Sequence, residues 1–475
     1  MNRQSKQHST TLSSTFVQPT KGVETLLGEP KKAILKLSVP MIVGMFVITI
    51  YYVADAIWVS GLSAEALAAV GFVFPFFFMA LAIAAGLGTG GGAAVSRRIG
   101  AQQKHEADDV AVHTLVIMIV LSAVLSIVFF IFAQDIFLFL GAGEATELSV
   151  IYARILSLGT IIIFFTFVGS DLLRSEGDAK RAMIGLGLGS GLNIILDPIF
   201  IYTFGFGIAG AAIATLLSMG IASLLLFYWL FLRKKTYLTF NFTKFRFKKA
   251  VIFDISQVGF PAFLQQMSMA LMMLLMNFII VGIGGTDGVA IFSAGWRIAT
   301  VAIIPLLGIA TAVVTVSGAT FGAKEYTKLD KAFNYAVKLG IAIECCIALI
   351  AFILAPGLAA LFTQAEGSGR LVDDLVLFLR MLCIYYPIVG FATFSSSLFQ
   401  GTGKGANALI ITAFRTIILM PPLSVFFAEV LGYGLVGIWL GIIAANIIGP
   451  IIAFVWAKFY IHTLKKSSIQ VNDKD

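Results

Sequence analysis

The chain has 475 residues and a net charge of +8; 59% of its residues are hydrophobic and only 12% are charged, where a soluble domain is roughly 45–50% apolar and about 25% charged. With a mean hydropathy of +0.96, this excludes a soluble globular protein. Nearly continuous apolar runs such as Val110–Ala133 and Ile341–Ala355 also exclude a membrane β-barrel, whose strands alternate apolar and polar residues.

The first 34 residues form a polar tail rich in Ser, Thr and Lys, with no signal-cleavage pattern behind it. After it, apolar runs between charged or glycine-rich breaks predict twelve membrane helices, over residues 35–60, 66–95, 110–133, 148–172, 180–204, 209–232, 255–282, 289–318, 332–361, 371–398, 405–430 and 435–462. The predicted organisation is a cytoplasmic tail (1–34), a six-helix lobe (35–232), a basic linker (233–254), a second six-helix lobe (255–462) and a cytoplasmic C-terminal tail (463–475). Of the 33 lysines and arginines, 27 lie in the tails or in and at the edges of the loops after helices 2, 4, 6, 8 and 10, and Arg370 alone lies in an opposite loop. The positive-inside rule then places both termini in the cytoplasm. The net charge thus marks topology rather than nucleic-acid binding, and the densest basic run, Arg233 to Lys249, lies where anionic headgroups are expected.

Internal similarity supports two lobes. Gly86-Leu-Gly-Thr89 and Gly100-Ala101 match Gly308-Ile-Ala-Thr311 and Gly322-Ala323 at an offset of 222; Arg154 pairs with Arg380 and Gly177 with Gly403 at 226, and Gly207 with Gly434 at 227. Six helices per half is an even number, so the halves share one orientation, a transporter arrangement.

Several motifs carry no chemistry. Gly401-Thr-Gly-Lys404-Gly-Ala406 resembles a P-loop but lacks the Ser or Thr after Lys and a preceding strand. The glycines at 185, 187, 189 and 191, and those from 86 to 92, read as small-residue surfaces for close helix packing. Cys345, Cys346 and Cys383 lie in apolar segments with no disulfide or zinc spacing, and none of the four histidines sits mid-span. No enzyme, cofactor or nucleic-acid partner is indicated.

The intramembrane carboxylates are informative, because a charge at mid-bilayer costs about 2.5–3.5 kcal/mol on insertion scales. Asp55 stands in the outer half of helix 1, in Tyr51-Tyr-Val-Ala-Asp55-Ala-Ile-Trp58; Asp197 stands within helix 5, one turn after Asn193 and just before Pro198. Asn193 and Asp197 therefore share a helix face, and Pro198 leaves the Ile194 carbonyl without its usual donor. A carboxylate, an amide oxygen and a free carbonyl in one turn suit a hard cation or a proton. The repeat offsets bring Asp55 to Met276 or Asn277 and Asp197 to Leu423 or Ser424, so the second half keeps the scaffold without the acids. Asp171 reads as part of an ion-pair cluster with Arg174 and Glu176, and Glu344, Arg297 and Arg415 as a charge-neutralising set. Tyr51, Tyr52, Asp171, Met273 and Met276 are candidates for a substrate cavity, the aromatics for a cation and the methionines as an adaptable surface.

Leu37-Ser-Val-Pro40 through Asp55, Glu65-Ala-Leu-Ala-Ala-Val-Gly71, Leu173 through Lys180, Leu192-Asn-Ile-Ile-Leu-Asp197-Pro198 and Gly207 through Thr215 resemble the multidrug and toxic compound extrusion (MATE) transporters over nearly the whole chain. The pattern is similar to the prokaryotic DinF-like branch. That resemblance implies that Asp55, Asn193, Asp197 and Thr215 form the coupling-cation site, with H⁺ or Na⁺ as the ion. The NorM-like branch has carboxylates in helices 7 and 10, which are absent from Phe263–Ile280 and Tyr385–Ser397. Departures are Ile48 and Tyr52 where relatives carry Gln and Asn, and Ser170-Asp171 where they often carry an Asn pair.

The expectation is an all-α, twelve-helix, two-lobe antiporter, monomeric in a prokaryotic cell membrane. It exports cationic, amphipathic organic compounds in exchange for H⁺ or Na⁺, whose uptake neutralises a coupled carboxylate pair. The rival readings are a flippase for lipid-linked saccharides, which calls for a cationic cavity, and a channel or scaffold, which has no need of acids in one lobe alone.

Overall fold

The structure, a computed structural model, describes residues 19–233, 235–363 and 368–472. Residues 1–18 of the predicted N-terminal tail, Lys234 of the linker and the last three residues of the C-terminal tail lie outside the described residues.

A short helix, Lys21–Leu27, precedes α1, Pro30–Ser60, which starts on a proline whose missing N–H falls where a helix has no partner for it. Next come α2, Ala64–Gly100, capped by Ser63 Oγ accepting from the Ala66 amide at 3.1 Å, and α3, Lys104–Phe139. α4 is bent by 51° between Thr146–Leu158 and Thr160–Ser175. α5, Ala179–Thr203, and α6, Gly207–Leu232, each end in a π-helical turn.

The helix Lys249–Ala302 has 54 residues, about 80 Å at 1.5 Å per residue, far beyond the ~30 Å apolar core. Gly285, at φ 60° and ψ −155°, breaks it, a conformation glycine adopts without steric cost. This gives α7, 249–284, and α8, 286–322, the latter interrupted between Ala302 and Ile304. α9 is Tyr326–Phe362, α10 is bent by 54° between Gly369–Leu382 and Tyr386–Gly401, α11 is Gly405–Val430 and α12 is Gly434–Asn472. Twelve spans result, as the sequence predicts. Three helices reach into segments read as tail or linker: α1 begins at Pro30, α7 at Lys249 and α12 runs to Asn472. Charged residues stop an apolar run but not a helix whose end is in water.

The duplication is visible in the backbone. Gln102 and Lys324, 222 apart, are the two non-glycine residues with positive φ, at 59° and 58°, among the described residues. Gly177 with Gly403, Gly205 with Gly432 and Gly207 with Gly434 repeat the same left-handed turns.

The halves meet through glycines on the face that carries the basic loops. A Cβ at Gly100 would meet the Ala319 carbonyl oxygen at 1.9 Å, and one at Gly322 would meet that of Arg97 at 1.9 Å. The offset of 222 exchanges these two contacts, as a pseudo-two-fold axis requires. Gly86 against the Gly259 carbonyl and Gly308 against Ile42 extend the seam into the membrane.

A charged lock closes the same seam. Arg97, at the end of α2, is buried; it pairs with Asp254 of α7 at 2.7 Å and donates to the Gly401 carbonyl at 3.1 Å, while Arg98 reaches Asp254 at 3.2 Å. Asp254→Ala leaves a buried guanidinium without its carboxylate, which costs about 3–5 kcal/mol. A lower unfolding midpoint in scanning fluorimetry of the purified protein is expected; an unchanged midpoint would show that the lock carries no stability.

The linker is held against the first lobe by its backbone amides. Tyr237 and Leu238 donate to Glu176 Oε2 at 2.7 and 3.1 Å, Thr239 to Asp108 at 2.8 Å, and Lys248 to His113 Nε2 at 3.0 Å.

Candidate functional site

α1 and α5 lie side by side in the first lobe. Gly44 of α1 packs beside Met183 of α5, and near the opposite end the Tyr202 hydroxyl donates to the Trp58 carbonyl. This packing turns Asp55 of α1 toward Asp197 of α5, close enough for the two carboxyls to interact. Asn193, one turn before Asp197, donates from Nδ2 to Asp197 Oδ1 at 3.1 Å and to Thr215 Oγ1 of α6 at 3.2 Å. Asp197, Asn193 and Thr215 are buried and Asp55 is half-buried. The four residues named from the sequence therefore stand together, drawn from three helices. The π-helical turn Ile199–Thr203 follows Pro198 directly, where the missing amide disturbs the regular ladder.

Three oxygens of this cluster, Asp55 Oδ1, Asn193 Oδ1 and Asp197 Oδ2, are buried without a hydrogen-bond partner. Buried polar atoms are ordinarily satisfied, and each lone oxygen forfeits roughly 1–3 kcal/mol of desolvation. A proton shared between the acids, or a hard cation bound by several of these oxygens, relieves that cost. Among the described residues, no group of three or more His, Cys, Asp or Glu side chains is placed to hold a metal ion; the cluster offers two carboxylates with an amide and a hydroxyl.

Tyr51 of α1 is buried one turn before Asp55 and packs its ring at 4.9 Å from that of Tyr52, which is exposed. Tyr152 of α4, also buried, lies near enough to feel the charge of Asp55 and Asp197 and is not among the sequence candidates. Its signal was the buried stripe Ser149, Tyr152, Ala153 and Leu156, whose helical spacing marks the inward face of α4.

Other candidates are placed differently. Asp171 pairs with Arg174 at 2.8 Å, both side chains largely buried, and its carboxylate presses on α2, where a Cβ on Gly88 would lie 2.3 Å from Oδ2. It belongs to a structural ion pair and adds no free charge beside Asp55. Met276 is fully buried in the core with Met272 and Ile280, because residues four apart share the inward stripe of α7; it lines no open surface. Met273 is half-buried against the same core. The charge-neutralising set of the second half does not form. Glu344 is buried with neither carboxylate oxygen accepting a bond, Arg415 donates instead to Asn446 at 2.6 Å, and Arg297 is exposed.

The MatE family model matches residues 40–199 and again 261–426, once in each half. The multidrug export protein MepA of Staphylococcus aureus is 25% identical over 419 residues, covering 88% of this chain and 91% of that protein. Among solved structures, the outward-facing conformation of a multidrug resistance MATE family transporter of the MOP superfamily superposes with a TM-score of 0.92 at 45% identity, covering 94% of this chain and 100% of that one. A MOP superfamily transporter from Pyrococcus furiosus gives 0.91 at 45% identity, covering 94% and 99%. With the family model matched in both halves and the twelve-helix fold shared along nearly the whole length, this multi-pass membrane chain belongs to the MatE family of MATE transporters.

Proposed function

We propose that the protein is a multidrug efflux antiporter that exports cationic, amphipathic organic compounds in exchange for H⁺ or Na⁺ by alternating access. The observation that carries this reading is the cluster of unpartnered oxygens on Asp55, Asn193 and Asp197 in the first lobe, with no acids at the matching positions of the second. Asp55, Asn193, Asp197 and Thr215 bind the coupling ion. Tyr51, Tyr52 and Tyr152 line the approach of a cationic substrate, whose charge is exchanged for that of the ion. The kinship with MepA, a multidrug export protein, supports the export of drugs. The glycine seam and the Arg97–Asp254 pair close the lobes on the basic face, so the exit route opens on the other.

The reading is tested by dye efflux from proteoliposomes under imposed gradients. Export driven by an inward pH or Na⁺ gradient is expected, and export that ignores both gradients rejects ion exchange.

The protein acts as a monomer in the plasma membrane of a prokaryote, with the basic face and both termini in the cytoplasm. The sole basic residue of the opposite loops, Arg370, is taken by Asp287 through two bonds at 2.7 and 3.1 Å. In a variant without Cys345, Cys346 and Cys383, which are free thiols, Thr239→Cys and Thr286→Cys, both exposed, should be labelled from opposite sides of the membrane. Labelling from one side would contradict the span count.

A further inference from the structure

A groove of about 550 Å³ opens on the basic face between the start of α1, in the first lobe, and the start of α9, in the second. Lys31 from α1 and Lys328 and Lys331 from α9 line it, with Glu29. Lys328 pairs with Glu325 at 2.8 Å. Among the described residues neither Lys31 nor Lys331 is in a salt bridge, and both are exposed. Asp330, next to Lys331 in the chain, is engaged by Lys458 and by Lys465 at 2.6 Å. Closing the lobes on this face therefore brings Lys31 up to Lys328 and Lys331 with the Glu29 carboxylate alone among the lining residues to offset them, and an anion between the lysines would relieve the remaining repulsion.

The surroundings of the groove are those of a membrane edge. Leu35, Val39 and Val43 follow Lys31 at intervals of four residues and are 39%, 57% and 48% exposed. An apolar stripe thus runs down α1 into the membrane directly below a lysine. A free phosphate has no use for such a stripe, whereas an acyl chain covers it while its headgroup sits among the lysines. Basic pockets between membrane helices are established sites for anionic lipid headgroups.

We propose that this groove binds the phosphate headgroup of an anionic phospholipid, which bridges the lobes and favours the arrangement closed on the basic face. The lipid bridges Lys31 and Lys331 only while the lobes are closed there, so its differential affinity shifts the equilibrium toward that state.

The test uses the full chain with equimolar phosphatidylglycerol and phosphatidylcholine, bound lipid being counted by native mass spectrometry. The wild type should retain phosphatidylglycerol preferentially, and Lys31→Gln with Lys331→Gln should lower that preference about five-fold for each lysine lost. Lys180→Gln with Lys249→Gln, the same charge change elsewhere on this face, should leave it intact. With Cys345, Cys346 and Cys383 removed, spin labels at His105→Cys and Thr327→Cys, exposed on opposite lobes, should report a larger short-distance population when phosphatidylglycerol is added with both lysines present, and no change in the Lys31, Lys331 variant. An undiminished preference in that variant, or an equal loss in the Lys180, Lys249 control, overturns the site. Displacement of the lipid by millimolar inorganic phosphate, with the same distance change, assigns the groove to a soluble anion and overturns the lipid.

Discussion

Asp197→Asn and Asp55→Asn are each expected to reduce gradient-driven efflux to background while leaving the protein folded and inserted. Asp197 is buried and accepts one bond from Asn193 at 3.1 Å. An asparagine keeps the volume and can keep that bond through its own carbonyl oxygen. It carries no charge and takes up no proton, so only the exchangeable function is lost. Insertion should not suffer, because a carboxylate at mid-bilayer costs about 2.5–3.5 kcal/mol that an amide largely avoids. Efflux from proteoliposomes together with the unfolding midpoint separates the two effects. Near-normal transport by both variants would remove these acids from the coupling mechanism; a collapsed midpoint would show that they hold the lobe together instead.

The second large effect distinguishes the coupling ions. A proton needs a carboxylate, whereas Na⁺ needs several oxygens around it. Asn193→Leu with Thr215→Val removes the amide and the hydroxyl, joined at 3.2 Å, and leaves both acids. Loss of even an outer-shell partner costs roughly 10–100-fold in metal affinity, so loss of two direct oxygens should weaken Na⁺ binding at least ten-fold. Titration calorimetry at a pH where the acids are ionised reads this directly. Efflux driven by a pH gradient should survive in part. An unchanged Na⁺ affinity would mean that the four residues do not form one coordination shell, leaving a protonatable carboxylate pair.

Much of this architecture was legible in the sequence, because a bilayer leaves few options. Long apolar runs must be helices, basic residues sort to one face, and Asn193 and Asp197 at a spacing of four must share a side. The duplication was readable as well: offsets of 222 to 227 in scattered glycines reappear as matched left-handed turns at Gly177 and Gly403 and at Gly207 and Gly434. What escaped were facts of rotation and of long-range pairing. Tyr152 comes near the acids because α4 turns its Ser149–Leu156 face inward. Met276 has the adaptable side chain of a cavity lining, but the rotation of α7 puts it in the core with Met272. Glu344 and Arg415 were matched by opposite charge alone, and the fold gives Arg415 the amide of Asn446, 31 residues on. The Arg97–Asp254 lock joins residues 157 apart, a pairing that depends on how the two lobes dock and that no local pattern announces.

The central claim is that substrate and coupling ion exchange at the acids of the first lobe. Its most direct test is proton release on substrate binding: a cationic dye is added to purified protein in a weakly buffered, Na⁺-free solution, and the pH is followed alongside dye binding. Wild-type protein should release protons as it binds dye, and the Asp55→Asn, Asp197→Asn double variant should release none. Equal release from both proteins, or dye bound by the wild type with no release at all, would contradict the claim.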